Sequence, residues 1–421
     1  MLIQFRFKNY KSFRDDTILD LSAAKITEFN DTIINVGNEK LLPVTAIYGA
    51  NASGKSNVIG AFTAMHTIVT SPVPFSNPNK VENSSASNLI YTPFLFDSKT
   101  KNAETSFEVY FIDNKDKKLK TYNYGFTLNK DGIVEEWLNS KAKSSRDYRM
   151  IFYRNEVTNE LDLSGIDKKF HDNIKVSKQK NILLVSLGNI LNIDKLKMVY
   201  SWFEEIKIDN FGNPIYNMVL SSVAPDGFAD DKLVQDSVVK YISTFDKSII
   251  GFEIEKITIE EKNECLKINA IHKTIDGGTA TIPLKQESDG TQKMFSLYAS
   301  LSKILKSGGI LFIDELNARL HPLLVRNFIL TFLNKQVNTN NAQLIFTTHD
   351  SWQLCSNLLR RDEIWFTEKD TDGVSTLYSL VDFVDEDGKK IRKDESYEKN
   401  YLMGKYGAIP KLDFINMFEE E

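Results

Sequence analysis

The order of apolar and polar positions predicts a β-ribbon at the start of the chain. Residues 2–8 alternate apolar with polar side chains, a pattern typical of a half-buried strand. Residues 9–13 then predict a turn, and extended structure resumes over residues 17–21. The ribbon leads toward residues 43–48, a short apolar run that predicts a strand, and residues 57–69 predict a helix.

The middle of the chain changes character twice. Short alternating runs between charged turns predict a β-rich section over residues 88–165, whose first strand spans residues 89–96. Apolar residues at three- and four-residue steps predict helices over residues 166–250, and strands with a hairpin turn return over residues 251–284. The helical pattern lacks sustained heptads, so no long coiled-coil arm is predicted.

The last third alternates helices with fully apolar strands. Residues 287–293 precede an amphipathic helix that a glycine pair ends at residues 308–309. Continuous apolar runs at residues 310–313 and within residues 343–350 are typical of strands buried on both faces of a parallel sheet. Between these two strands, the sequence Leu-His-Pro at residues 320–322 predicts a helix through residue 333, and a hairpin follows the second strand over residues 364–380.

These elements predict an α/β fold with a divided core. Residues 1–75 and 285–421 are expected to build the core, a mixed sheet with an N-terminal antiparallel β-ribbon. Residues 76–284 are expected to form a large central α+β insertion.

Composition and charge narrow the class of protein. The 421 residues are 42% hydrophobic and 26% charged, which predicts a globular chain. No apolar run has the length of a membrane span and the N-terminus lacks the form of a signal peptide, so we expect a cytoplasmic protein with no membrane partner. Cys265 and Cys355 are far apart, which excludes a zinc cluster. The net charge of −5 argues against broad nucleic-acid coating, while DNA binding in a local basic groove stays open.

The first candidate for chemistry lies between the predicted strand and helix. Residues 49–56 have the sequence Gly-Ala-Asn-Ala-Ser-Gly-Lys-Ser, which is P-loop spacing in the strand–loop–helix context that a P-loop needs. The glycines let backbone N–H groups curl around phosphate oxygens, and the helix N-terminus favours negative charge. Lys55 can reach the β- and γ-phosphates of ATP, and Ser56 can ligate Mg²⁺. The residues predicted to bind ATP here are Gly49, Asn51, Ala52, Ser53, Gly54, Lys55, Ser56 and Asn57.

Two further strands end in polar residues that suit phosphoryl transfer. Asp314 would hold Mg²⁺, and Glu315 would orient and polarise the attacking water. His349 could hydrogen-bond the γ-phosphate. Each residue alone is also typical of a solvated strand end, but their occurrence together with a P-loop favours the catalytic interpretation.

A second helix start could bind phosphate. Residues 288–292, Ser-Asp-Gly-Thr-Gln, open the helix before Asp314, so backbone N–H groups and the Ser288 hydroxyl could cradle an anion. The alternative is a simple helix cap. Because the P-loop already serves its own nucleotide, we expect Ser288 and Gly290 to contact ATP held by another copy of the chain. This predicts a homo-oligomer, at least a dimer that sandwiches two ATP molecules head to tail.

These motifs resemble those of ABC-type ATPases. Residues 49–56, residues 288–292, the pair Asp314 and Glu315, and His349 are similar to their Walker A, signature, Walker B and switch-histidine motifs. The asparagine in the P-loop and the long insertion resemble the SMC/RecF/OLD branch. More narrowly, several stretches resemble the AbiL/RloA-like ATPases of bacterial phage-defence loci, relatives of the ATPase of the PARIS system. These stretches are residues 5–13, 47–56, 314–322, 361–366 and 401–410.

The resemblance implies an ABC-type P-loop ATPase head with a regulatory role. It implies ATP and Mg²⁺ as cofactors, a phage-derived protein trigger, and abortive infection through an effector encoded by an adjacent gene, commonly a Toprim-type nuclease. Asp370 and Asp372 have the Asp-x-Asp spacing of such a nuclease, but the turn of the predicted hairpin explains them. Arg319 lies in the segment that resembles the D-loop, and it either forms a surface ion pair or reaches across the dimer.

Two alternatives to this function stay open from the sequence. The first is a RecF/SMC-type DNA-repair ATPase that acts on DNA directly, and the second is a nucleotide-dependent scaffold that does not hydrolyse ATP. DNA binding with steep salt dependence would favour the first, whereas absence of turnover would favour the second.

Overall fold

The computed structural model describes residues 1–71, 91–213, 215–216, 224–259, 263–385 and 388–410. The chain divides into two compact units. The first unit comprises Met1–Ile206 and Ile345–Glu421, and the second comprises Lys207–Leu344. The predicted division into a core and an insertion at residues 76–284 stays a prediction.

The strands and helices have the following bounds. The strands are β1 (Leu2–Lys8), β2 (Thr17–Asp20), β3 (Ile34–Val36), β4 (Glu39–Leu41), β5 (Val44–Gly49), β6 (Thr105–Ile112), β7 (Thr121–Asn129), β8 (Gly132–Lys141), β9 (Arg149–Asn155), β10 (Glu160–Asp162), β11 (Lys207–Asn210), β12 (Ile249–Ile259), β13 (Asn263–Lys273), β14 (Thr279–Pro283), β15 (Ile310–Asp314), β16 (Gln343–Thr347), β17 (Ile364–Lys369) and β18 (Ser375–Ser379). The helices are α1 (Lys55–Thr70), α2 (His171–Ser177), α3 (Leu184–Ile190), α4 (Asp194–Glu204), α5 (Lys232–Ile242), α6 (Asp289–Ser307), α7 (Pro322–Leu333) and α8 (Tyr397–Leu402).

The first unit contains a seven-stranded antiparallel sheet in the order β10-β9-β8-β7-β6-β1-β2. The predicted ribbon forms one end of this sheet, with β2 at the edge and β1 next to it. The buried face of β1 carries large aromatic side chains. Phe5 lies 5.1 Å from the ring of Phe62 on α1, and Phe7 lies 5.1 Å from Phe13. This packing fixes α1 against the sheet. Strands β6–β10, which the sequence analysis placed in the insertion, extend the sheet of the ribbon.

The strand before the predicted P-loop is buried along its whole length in the first unit. β5 pairs in parallel with β17, which pairs antiparallel with β18. On the other side, the N–H of Thr348 donates to the carbonyl of Ile47 at 3.1 Å. The C-terminal stretch packs on this sheet, since Tyr401 stacks on Phe366 at 5.4 Å and Tyr378 donates to the carbonyl of Tyr406 at 2.7 Å.

The second unit combines a parallel strand pair with a three-stranded antiparallel sheet. β11 pairs in parallel with β15, and β12, β13 and β14 form the antiparallel sheet in that order. An apolar cluster joins this sheet to α5 and α6; its buried members are Phe228, Val238, Ile242, Ile249, Ala270, Leu284 and Phe295. α6 ends at Gly308, which adopts φ 66° as a left-handed cap. In the part of the chain that is described, no helix has the length and apolarity to cross a membrane.

A buried polar cluster fixes the start of β17 in the first unit. Arg360 donates to Asp362 at 2.8 Å and also donates to the carbonyl of Glu28. Asp362 in turn accepts the N–H of Ala24 at 2.7 Å. Both side chains of the Arg360–Asp362 pair are almost fully buried, so each charge depends on the other for compensation.

Glu363 gives this cluster a pH-dependent stability. The side chain is buried, accepts the Arg360 N–H at 2.8 Å, and its Oε1 has no hydrogen-bond partner among the described residues. Burial, with a contribution from the Asp362 carboxylate, raises the pKa of Glu363 to about 8 from its ordinary value of 4.5. The folded state therefore holds a proton that the unfolded chain releases, and the resulting stability is complete below pH 4.5 and is lost as the pH rises toward 8.

We expect Glu363→Gln to make the protein more stable at alkaline pH. The amide needs no proton to stay neutral, so the free energy of unfolding at pH 8 should rise by about 1–3 kcal/mol, with little change at pH 5. Thermal unfolding midpoints of both proteins between pH 5 and 9 measure the effect. Parallel curves for the two proteins would contradict the assignment.

Candidate functional site

Residues 49–56 form a tight loop between β5 and α1 in the first unit. Gly49 and Gly54 adopt φ angles of 151° and 116°, and Ala52 also has a positive φ of 63°. A Cβ at Gly49 would lie 2.5 Å from the carbonyl oxygen of Thr367, and one at Gly54 would lie 2.7 Å from Ser375 Oγ. Glycine is therefore required at both positions for steric as well as conformational reasons.

Hydroxyl groups from the β17–β18 hairpin support the loop. Ser53 Oγ and Thr367 Oγ1 are 2.6 Å apart, and Ser375 Oγ donates to the carbonyl of Ser53 at 2.7 Å. Ser375 Oγ also lies 2.8 Å from Ser12 Oγ, which accepts from Asn57 Nδ2 at 2.8 Å. The turn after β1, the loop and the hairpin thus form one hydrogen-bonded network. The turn interpretation of residues 9–13 agrees with the structure.

The charged and polar side chains of the loop divide into a buried set and an exposed set. Lys55 is buried, and its Nζ donates to the carbonyls of Gly49 at 2.7 Å and Ala50 at 2.9 Å. Asn51, Ala52 and Ser56 are exposed on the rim. Gly54, which precedes the helix, supplies no side-chain cap, and the first turn of α1 carries no acidic residue. The positive end of the helix dipole is therefore not offset by a local carboxylate, which suits an anion.

His349 lies in the same unit as the loop. It follows β16 directly after Thr348, whose N–H is bonded to the P-loop strand at Ile47. The imidazole is exposed. Asp350 accepts the N–H of Trp352 at 3.0 Å and so caps the short helical turn that follows. The backbone on both sides of His349 is therefore held in place.

Asp314 and Glu315 lie at the end of β15 in the second unit. Asp314 is buried, with 5% of its surface exposed, and Asn210 Nδ2 lies 3.5 Å from its Oδ2. The N–H of Phe211 donates to the Asp314 carbonyl at 2.9 Å. Glu315 adopts a positive φ of 57°, which is uncommon for a residue with a side chain and turns the chain sharply after the strand.

The Glu315 carboxylate packs on the backbone of Gly212. A Cβ at position 212 would lie 2.5 Å from Glu315 Oε2, so only glycine leaves the carboxylate in this position. Strand β11 and residues 211–212 were not predicted as part of the site. The four residues of β11 carry no clear periodicity, and the pairing with β15 joins residues about a hundred positions apart, which no local pattern reveals.

Ser288 and Gly290 lie at the start of α6, also in the second unit. Ser288 Oγ accepts the N–H of Thr291 at 3.1 Å, so the helix-cap interpretation holds in this structure. Ser288 and Asp289 are exposed, and a Cβ at Gly290 would have no contact closer than 3.8 Å. The exposed Arg319 pairs with Asp289 at 3.0 Å, which matches the ion-pair interpretation of Arg319.

The candidate site residues thus fall into two groups by unit. The first unit holds the P-loop and His349, and the second holds the acidic pair and the start of α6. Ser56 and Asp314 offer hydroxyl and carboxylate oxygen atoms, the hard donors that Mg²⁺ prefers. Asp370, by contrast, accepts the N–H groups of Asp372 and Val374 at 3.0 and 2.8 Å, so the Asp-x-Asp sequence forms a turn.

The buried strand, the strained glycine loop and the buried lysine define a P-loop NTPase of the ATPase class, and the comparisons with known proteins agree. Residues 44–351 match the family model described as AAA domain, putative AbiEii toxin, Type IV TA system. The chain belongs to this family. The α/β fold of a P-loop ATPase head that the sequence predicted is confirmed, whereas the narrower likeness to the AbiL/RloA and PARIS ATPases stays a prediction.

Similar solved structures include an SMC head and a protein of an ABC transporter complex. An SMC head, solved bound to the C-winged helix domain of ScpA, is 16% identical with a TM-score of 0.41, and the match covers 90% of this chain and 97% of that chain. The protein cbiO1 from Clostridium perfringens, part of the ABC transporter complex cbiONQ, is 12% identical with a TM-score of 0.31, covering 96% and 93%. No curated protein matches the sequence.

Proposed function

We propose that the protein hydrolyses ATP at a site shared between two copies of the chain. The observation that carries this proposal is the P-loop geometry, in which Lys55 is buried and donates to two carbonyls of its own loop. Its ammonium is thereby held against the backbone of the loop, and phosphate oxygens of ATP would replace the two carbonyls as acceptors. Backbone N–H groups of residues 52–56 and the α1 dipole would add to the attraction.

The acidic pair would supply the chemistry of hydrolysis. With ATP bound, Mg²⁺ would neutralise phosphate charge, and Ser56 and Asp314 are the residues that would hold it. Glu315 would accept a proton from the attacking water, whose oxygen then bonds to the γ-phosphorus while the bond to the ADP oxygen breaks. The close packing on Gly212 supports this role because it restricts the Glu315 carboxylate. His349 would donate to the γ-phosphate.

The start of α6 would complete the site of a second copy. Ser288 and Asp289 are exposed and Gly290 is open, so an anion held by another chain can approach the first N–H groups of the helix. The Ser288 hydroxyl would then donate to an oxygen atom of the γ-phosphate while it still accepts the N–H of Thr291. ATP binding and dimer formation are therefore expected to be coupled.

The biological role that we propose is control of a separate effector during phage infection. The description of the family, which names a putative toxin and a toxin–antitoxin system, supports a role in such a system. The net charge of −5 favours a protein partner over DNA, because DNA-binding surfaces are positively charged. A phage protein would act as the trigger, and a Toprim-type nuclease encoded by the adjacent gene would be the effector.

Two measurements test this function. Release of inorganic phosphate from ATP with Mg²⁺ tests hydrolysis, and co-purification with the product of the adjacent gene tests the effector. A stoichiometric complex at physiological salt is the expected result. Tight DNA binding that weakens steeply with salt, together with DNA-stimulated turnover, would instead support the DNA-repair alternative. No phosphate release with the partner present would support the scaffold alternative.

A further inference from the structure

The first turns of α6 contain a lysine that the proposed mechanism does not use. Lys293 directly follows the segment 288–292, and only 6% of its surface is exposed. Lysine is rarely buried to this extent unless its ammonium has specific partners, because removing the charge from water is costly. The partners of Lys293 therefore indicate what the residue does.

The ammonium of Lys293 contacts two separate loops of the second unit. Its Nζ lies 3.9 Å from the centre of the Phe211 ring, over the face of the aromatic system. It also donates a hydrogen bond to the carbonyl of Ala318. Phe211 belongs to the loop after β11, and Ala318 to the loop after β15. One side chain from α6 thus joins both loops.

Both of these loops hold Glu315. Gly212, next to Phe211, provides the backbone on which the Glu315 carboxylate packs. The N–H of Ala318 donates to the carbonyl of Glu315 at 2.9 Å and closes the turn that gives Glu315 its positive φ. Lys293 therefore contacts the immediate neighbours of Glu315 on two sides.

The pKa of Lys293 reflects its burial and an electrostatic interaction with the Glu315 carboxylate. Burial, with a smaller contribution from the positive charge of Arg319, lowers the pKa of Lys293 to about 8, while the negative charge of Glu315 opposes the shift. A second link between α6 and the same loop, the Arg319–Asp289 ion pair, is solvent-exposed on both sides. Exposed ion pairs contribute little to stability because solvent screens them, so the buried contacts of Lys293 are the stronger connection.

We propose that Lys293 is a positioning residue that couples the start of α6 to the orientation of Glu315. The proposal rests on the proposed function, in which Ser288 and Gly290 contact ATP of one site while Glu315 acts at the other. A displacement of α6 when it closes on the partner's ATP would move Lys293, and with it both loops that hold Glu315. Hydrolysis at one site would then depend on closure at the other.

Substitution of Lys293 by methionine and by arginine tests this coupling. Met keeps the apolar stem but loses the charge and the donor, whereas Arg keeps both. For Lys293→Met we expect ATP affinity within about twofold of the parent, kcat lowered about 10- to 100-fold, and a Hill coefficient for ATP that falls toward 1. Lys293→Arg should restore most of kcat. The matched control is Lys303→Met, an exposed lysine on the same helix.

A second measurement separates this inference from the proposed function. Hydrogen exchange at residues 315–320 should be faster in Lys293→Met than in the parent, whether or not the protein hydrolyses ATP. Phe211→Leu, which removes the ring but keeps an apolar side chain, should act in the same direction if Lys293→Met does not fold. If the parent hydrolyses ATP, and Lys293→Met has the kcat, the Hill coefficient and the hydrogen exchange of the parent, the role of Lys293 is overturned. Absence of parent turnover would overturn the hydrolysis proposal, and exchange would then decide the role of Lys293.

Discussion

Glu315→Gln should abolish turnover while ATP stays bound between two copies of the chain. The amide has nearly the same shape as the carboxylate, so binding contacts persist, but it cannot accept the proton of the attacking water. Loss of a general base costs about 10²–10⁴ in rate. Because hydrolysis is the step that releases the dimer in this account, the dimer should become stable in the presence of ATP and Mg²⁺.

Phosphate release measures the turnover of Glu315→Gln, and the mass of the complex in solution shows whether the dimer persists with ATP and Mg²⁺. Glu253→Gln, which removes the charge of an exposed carboxylate on β12 in the same unit, is the control and should resemble the parent. A Glu315→Gln protein that turns over ATP at the parent rate would remove Glu315 from the mechanism. A protein that is inactive and stays monomeric with ATP would contradict the shared site.

Lys55→Ala should lose nucleotide binding altogether. The ammonium is the one lysine charge of the loop, and charge-assisted bonds to phosphate contribute about 1.5–3 kcal/mol each. With two such bonds lost, we expect ATP affinity to fall by at least about 100-fold. The mutation also removes a donor from the carbonyls of Gly49 and Ala50, which should lower stability by about 1 kcal/mol without unfolding the chain.

Calorimetric titration with ATP measures the effect of Lys55→Ala. The control is Lys8→Ala, which removes an exposed lysine at the end of β1. Thermal unfolding of both variants shows whether the fold is kept. Folded Lys55→Ala protein that binds ATP with the affinity of the parent would refute the P-loop assignment.

Local sequence patterns were sufficient to predict a helix or strand where the residue types within that segment determine its conformation. The sequence Leu-His-Pro at residues 320–322 predicted a helix through residue 333, and α7 begins at Pro322 with His321 as its cap. The glycine at 308 ended α6 as predicted. The alternation of β1 and the apolar run of β15 both matched their burial. In each case the residue types determine the local conformation.

The features that the sequence did not predict depend on contacts between residues that are far apart in the chain. The predicted strand over residues 89–96 is wrong in its described part, residues 91–96, because the side chain of Asn9 binds the N–H of Phe94 at 2.9 Å in place of a sheet partner. Residues 89 and 90 lie outside the described residues. The contacts of Lys293 with Phe211 and Ala318 likewise join three segments that are distant in sequence. A lysine after a helix start has no local feature that predicts burial.

The C-terminal stretch shows how a resemblance can have a structural cause. Residues 401–410 are among the stretches in which the sequence resembles the AbiL/RloA-like ATPases. In the structure Tyr401 packs on Phe366 of β17 and lies 6.4 Å from Tyr48, the residue before the P-loop. Tyr401 also donates to the carbonyl of Ala408 at 3.2 Å. Tyr401 therefore links the stretch to β17 and to the strand that leads into the P-loop.

In the proposed mechanism one nucleotide site needs two chains, and mixing two inactive variants tests this requirement most directly. Lys55→Ala disables ATP binding by the P-loop but leaves the start of α6 intact. Gly290→Asp leaves the P-loop intact but places a carboxylate where the phosphate of the partner's ATP would bind. Aspartate fits, because a Cβ at Gly290 meets only ordinary contacts and an acidic residue suits a first helical turn.

Each mixed dimer would contain one intact site and one doubly damaged site. Equal mixing produces such dimers in about half of the pairs, so we predict turnover from two proteins that are inactive alone. The rate should be at most about a quarter of the parent rate, and it should be lower to the extent that the Lys293 coupling needs closure at the damaged site. Gly290→Ala, the matched control, should be active by itself. A mixture that stays inactive, although cross-linking shows that mixed dimers form, would contradict the shared site.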